Sequence, residues 1–233
     1  MMWARQVLHV VRKDLLLTRW YVAASVGVIA VLTRVAIERG AEFDGMWNTL
    51  VLLTAVTGIC LAVQNDSPHE PQTFWTTRPL NATAVAAAKV LEVILTVLVV
   101  RAVTHIVAGV LAGETGSSLP GVLAGRNWLL PGAVAGAAVI AALTTDVRSF
   151  LVVSLVSFAV VAYGVSLVSV HVAGAQAPGR LLDLYYAYIA VGSVPVLLTT
   201  YHKRERSIGL LGAAILAVAS LALATVAGAR WQG

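Results

Sequence analysis

The chain has 233 residues, 59% hydrophobic and 12% charged, with a formal net charge of +5 and a mean hydropathy of +0.86. A soluble domain carries roughly 25% charged residues, so this composition excludes an ordinary water-soluble enzyme and makes lipid the main solvent. The basic residues stand in short clusters between apolar runs, which speaks for membrane topology and against nucleic acid as a partner.

The first segment, 1–19, reads as an amphipathic helix. Trp3, Val7, Val10 and Val11 share one helical face, and Arg5, Gln6, His9, Arg12 and Lys13 share another. Such a helix lies in the membrane interface, its cations near lipid headgroups. Its basic stretch is long and no small-residue cleavage site closes a short apolar core, so a cleavable signal peptide is not expected.

Seven apolar segments follow, near 21–37, 47–63, 90–111, 128–143, 150–172, 184–200 and 208–229. A spanning helix needs about 20 apolar residues, and several of these are short. The fourth and fifth are separated only by 144–149, as a tight hairpin or one interrupted element. The expected fold is an all-α polytopic integral membrane protein. Six or seven transmembrane helices follow the interfacial one, and 1–233 forms a single transmembrane domain. A β-barrel would show short alternating strands, which these continuously apolar runs are not.

With seven spans and the N-terminus inside, ten Lys and Arg residues fall on the cytoplasmic side and five on the other, with Arg101 inside a span. This asymmetry orients the chain with a cytoplasmic N-terminus. The cluster His202, Lys203, Arg204, Glu205, Arg206 is the strongest anchor. The outer loops are short, and the one near 112–127 is rich in turn residues. The single cysteine, Cys60, allows no internal disulfide.

The longest cytoplasmic connection is 64–89, QNDSPHEPQTFWTTRPLNATAVAAAK. Pro68 and Pro71 disfavour helix before them. An aromatic knob follows, from Gln72 to Leu80. Asn81 or Thr83 can cap the next helix, which runs past Lys89 into the third span and begins in the cytosol. Phe74 and Trp75 fit either the groove of a partner protein or the aromatic belt at the headgroups.

This order of features resembles the permease subunit of a type-2 ABC transporter. Permeases of that family begin with an amphipathic elbow helix, which 1–19 resembles. Their first intracellular loop carries an acidic residue, a turn, a short coupling helix, a proline and a helix opening with lysine. Asp66, Glu70, Gln72, Thr73, Phe74–Arg78, Pro79 and Lys89 fall in that order. Gln72 stands where the family commonly has glycine, and the family's usual six spans are one fewer than the segments read here.

The resemblance implies that Asp66, Glu70, Thr73, Phe74, Trp75, Thr77, Arg78, Pro79 and Leu80 couple this chain to a separate cytosolic ABC ATPase. ATP and Mg would be bound there, and this chain itself would hold no cofactor. It also implies a second permease copy or paralogue, and residence in the bacterial cytoplasmic membrane, with export as the direction of transport. No phosphate-binding Gly-x-x-x-x-Gly-Lys-Ser/Thr motif occurs in the chain, so ATPase activity is not expected of it.

The third span carries Glu92, Arg101 and His105, the candidate translocation path. Arg101 and His105 are four apart and share a face. Ionisable groups at such depth face a partner, a wet cavity or another helix. Glu92 lies about 180° around the helix from Arg101, and three residues from Lys89, with which it can pair. A polar contact between spans accounts for Arg101 and His105 equally well. Gly132 and Gly136, four apart, permit a close helix crossing. His171 has no second ligand at metal spacing, and no catalytic constellation is visible. Two other classes remain: a membrane interaction or immunity-type protein that transports nothing, and a small proton-coupled secondary transporter using Glu92 and His105. The latter would show inverted repeats, and none is seen.

Overall fold

The computed structural model describes residues 2–39, 44–64, 81–111, 128–168, 178–203 and 206–230. These residues form seven α-helices and no strand: α1 Met2–Arg39, α2 Asp44–Gln64, α3 Ala82–Leu111, α4 Leu129–Leu143, α5 Val147–Val168, α6 Pro178–Lys203 and α7 Arg206–Arg230. Five of the seven apolar segments lie within one of these helices; 128–143 begins one residue before α4, and the end of 150–172 lies outside the described residues. Four contain stretches long and apolar enough to cross a membrane, at Trp3–Leu32, Ala82–Val107, Leu182–Lys203 and Ser207–Val226. The other three helices contain shorter apolar stretches, at Thr49–Gln64, Leu129–Leu143 and Val147–Val161.

One difference from the sequence expectation is at the start. The interfacial helix and the first span are a single helix of 38 residues, about 57 Å long at 1.5 Å per residue. No glycine or proline occurs between residues 2 and 26, so nothing interrupts the backbone hydrogen-bond ladder. The polar face is as expected, with Arg5, His9 and Arg12 exposed. Val10 and Val11 are buried in a cluster with Val85, Ala86 and Ala88 of α3. The apolar face of this stretch therefore packs on protein, while Trp3 remains half exposed.

Residue pairs set the helix directions. Asp14 meets Lys89 close to the starts of α1 and α3, so these two run side by side in the same sense. Helix α2 runs back against both, with the Tyr21 hydroxyl donating to the Thr54 carbonyl at 2.7 Å. Gln64 Nε2 donates to Thr144 Oγ1 at 3.3 Å, joining the C-terminal ends of α2 and α4. Helices α4 and α6 run in the same sense: Gly132 lies against Tyr186, and Gly136 against Ile189. Helices α6 and α7 form an antiparallel hairpin, with Gly209 on Thr200 and Gly212 on Val196. The ends marked by Gln64, Asn81, Thr144 and Gly209 thus share one end of the bundle. Trp128 and Asp183 mark the other.

Small residues make the core. Ala135, Ala137, Ala138, Ala141 and Ala142 of α4 are buried, as are Ala84, Ala86 and Ala88 of α3. Small side chains let helices approach closely where lipid supplies no hydrophobic drive for helix association. The expected close crossing at Gly132 and Gly136 is present: a Cβ built on Gly132 would stand 2.6 Å from Tyr186 Cβ. Pro195 lies inside α6, and Thr199 and Thr200 donate to nearby carbonyls of the same helix at 2.8–3.0 Å. These are the i−3 and i−4 back-bonds by which Ser and Thr hydroxyls are satisfied inside a helix. Outward, Leu155 is 71% exposed, Phe158 60% and Val218 70%. Apolar surface of this extent on α5 and α7 suits acyl chains rather than water.

Local capping follows the sequence. Asn81 Oδ1 accepts from the Thr83 N–H at 3.0 Å and begins α3, so Asn81 is the cap. Asp146 begins α5, accepting from the Ser149 N–H and the Ser149 hydroxyl, both at 2.8 Å. The backbone hydrogen bond from Ser149 holds the Asp146 carboxyl below the usual carboxylate range.

Candidate functional site: a buried charge cluster beside a crevice

Three charged side chains meet where α1 and α3 lie together. Asp14 is 1% exposed, Lys89 is fully buried and Glu92 is 5% exposed. The Lys89 ammonium donates to Asp14 Oδ2, to the Ala62 carbonyl of α2 at 2.7 Å and to Glu92 Oε2 at 3.3 Å. An ammonium carries three hydrogens and no acceptor, so it suits a site lined by carboxylate and carbonyl oxygens. Lys13, at the rim, stands 3.1 Å from Asp14 Oδ1 in a pose that makes an ion pair without a hydrogen bond.

Charges this deep in a lipid-facing bundle are retained only when paired. The cluster ties three helices: α1 through Asp14, α2 through the Ala62 carbonyl, and α3 through Lys89 and Glu92. Beside it, α1, α2 and α3 enclose a crevice of about 110 Å³ whose lining includes both carboxylates.

Of the candidate path residues, Glu92 belongs to this cluster and pairs with Lys89 as its spacing indicated. Arg101 and His105 are half-buried and stand farther along α3, about 13 Å and 20 Å from Glu92 along the helix axis. The structure therefore does not bring the three residues together. Thr104, between Arg101 and His105, donates to the Val100 and Arg101 carbonyls at 3.0 and 2.9 Å. His105 Nδ1 is buried with no hydrogen-bond partner among the described residues. The expected coupling residues, Asp66, Glu70, Thr73, Phe74, Trp75, Thr77, Arg78, Pro79 and Leu80, lie outside the described residues. Among the described residues no three His, Cys, Asp or Glu side chains gather as metal ligands would.

Asp14 was not singled out from sequence, yet it is central. Its signal is positional: it follows Val7 by seven residues and so falls on the apolar face of α1, where an acid needs a partner.

The described residues are all helical, and four of the helices are long and apolar enough to cross a bilayer, the architecture expected of a membrane protein. Comparisons with protein families, with curated proteins and with solved structures give no match.

Proposed function

We propose that the chain is the membrane-spanning permease subunit of an ABC-type exporter, driven by a separate cytosolic ATPase. The reading takes the bundle to cross the bacterial cytoplasmic membrane six or seven times with its N-terminus in the cytoplasm. A second permease copy or paralogue completes the transporter.

The observation that carries this reading is mechanical. Segment 65–80, which holds the Phe-Trp knob, joins α2 to α3, and both of its ends are fastened to other helices. Gln64, at the end of α2, bonds Thr144 of α4. Seven residues into α3, Lys89 is held by Asp14 of α1 and the Ala62 carbonyl of α2. A push on the segment is therefore delivered to α1, α2, α3 and α4 together, as rigid-body coupling requires. The loop order described above supports the same reading. A relay between Glu92 and His105 has less support, because about 20 Å of helix separates them.

The test is co-purification. The tagged chain, expressed from its native locus, should bring down a cytosolic ATPase carrying a phosphate-binding loop. Phe74→Ala combined with Trp75→Ala should lose that partner while the chain stays in the membrane. An unchanged complex and unchanged transport in the double variant would overturn the proposal.

A further inference from the structure

The outer face of α1 carries a line of cations that the bundle itself does not use. Arg5, Arg12 and Arg19 stand seven residues apart, so they share one face at steps of about 10 Å along the axis. All three are exposed, and none stands in an ion pair among the described residues.

The three differ in depth. The Asp14–Lys89 contact, with Lys89 on the Ala62 carbonyl, puts Arg12 near the end of α2 at Gln64. Arg5 stands about 10 Å farther out. Arg19 is inside that end: two residues on, the Tyr21 ring lies against Gly58, which precedes Gln64 in α2. Around Arg19 the surface is apolar, with Leu15, Leu16 and Val22 exposed and Trp20 exposed at 76%. A cation at that level needs an anion, or reaches back to the headgroups. Helical side chains lean toward the N-terminus of their helix, which for α1 is the end marked by Gln64 and Asn81. The Arg19 guanidinium stands over the Trp20 ring, 5.5 Å from its centroid. Stacking holds an arginine by its face and leaves its N–H edge free for an oxyanion. Toward the bundle interior the same face becomes small, with Ala23 and Gly27 exposed and open space beside Gly27.

We propose that this face of α1 binds one acidic phospholipid, its phosphate held by Arg19 and Arg12 and its acyl chains laid past Trp20 along Ala23 and Gly27. The unpaired guanidinium groups select an oxyanion. The apolar surface around Arg19 selects one anchored in lipid, and the small side chains leave room for its chains. The proposal goes beyond the permease reading. It rests on the bundle lying in a bilayer and on nothing in the ATPase coupling, so its failure leaves that proposal untouched.

The experiment titrates the full chain, in non-ionic detergent, with dioleoylphosphatidylglycerol or dioleoylphosphatidylcholine and counts bound lipids by native mass spectrometry. The expected result is one phosphatidylglycerol per chain, held at least tenfold more tightly than phosphatidylcholine. Arg19→Gln should weaken that binding at least tenfold and Arg12→Gln at least threefold, whereas Arg5→Gln, too far out to reach the phosphate, should change it less than twofold. Trp20→Leu keeps every charge and should weaken it as well. All four side chains are exposed, so the variants leave the helix packing in place. Four results would overturn the proposal. Equal affinity for the two lipids removes the charge selection. Undiminished binding by both Arg19→Gln and Arg12→Gln removes the site. An Arg5→Gln loss as large as that of Arg19→Gln makes the face a diffuse basic flank. Displacement of the lipid by millimolar inorganic phosphate makes it a site for free anions.

Discussion

Asp14 and Lys89, 75 residues apart in the chain, are joined inside the bundle with almost no exposure to solvent. This contact fastens α1 to α3 and sets their parallel course. It also makes the cluster vulnerable to unbalanced change. Lys89→Met leaves two buried carboxylates without their shared ammonium and should destabilise the chain by about 3–5 kcal/mol. The loss is to be read as a fall in melting temperature by size exclusion in detergent. Replacing Asp14, Lys89 and Glu92 together with Leu, Met and Leu should recover most of it, because no unpaired charge remains buried.

Helix crossing at Gly132 is a separate liability. Its hydrogen faces the Tyr186 backbone, and a Cβ there would stand 2.6 Å from Tyr186 Cβ. Gly132→Val should cost about 1–3 kcal/mol through forced separation of α4 and α6. At Gly136 the nearest atom is Ile189 Cγ2 at 3.4 Å, a flexible side-chain end. Gly136→Ala should therefore change the melting temperature little. Equal effects at the two glycines would contradict the described crossing.

The far end of the bundle is held by a hydrogen bond between α6 and the residue that precedes α4. Asp183 Oδ1 of α6 accepts from the Trp128 N–H at the start of α4, at 2.6 Å. An anion at a helix N-terminus also meets the positive end of the helix dipole. Asp183→Ala should cost about 1 kcal/mol, and Asp183→Asn, which keeps the acceptor, should lose less. Hydrogen exchange at the first turn of α4 should rise in the alanine variant.

Asp146 supplies a pH dependence at the other end. Its carboxyl is held below the usual range by the Ser149 N–H. A lowered folded-state value means that the cap's contribution is fully present above the ordinary carboxylate range. It is lost as the pH falls through the lowered value. Fraying at the start of α5, followed by exchange of the Ser149 amide, should therefore begin only on acidification. Asp146→Asn should remove that acid dependence.

The sequence makes local relations readable and distant ones much less so. The Lys89–Glu92 pair, the Asn81 cap and the packing role of Gly132 and Gly136 follow from spacings of two to four residues within one helix. The partner of Lys89 at Asp14 does not, because it depends on which helices lie side by side. The continuity of α1 illustrates a different limit. The change from a basic amphipathic pattern to an apolar one near residue 20 looks like a boundary between elements. The backbone registers no such boundary, since no glycine or proline falls there. The depth of Glu92 relative to Arg101 and His105 was readable as helix length. The fact that Glu92 completes a cluster shared with α1 was not.

The central claim is a helix bundle threaded through a bilayer with its two ends on opposite sides. In a Cys60→Ala background, Asn81→Cys, Thr145→Cys and His202→Cys probe one end, and Trp128→Cys probes the other. A membrane-impermeant maleimide added to intact cells should label the Trp128→Cys protein and spare the other three until the membrane is opened. Labelling of Asn81→Cys and Trp128→Cys from the same side would contradict the fold's relation to the membrane.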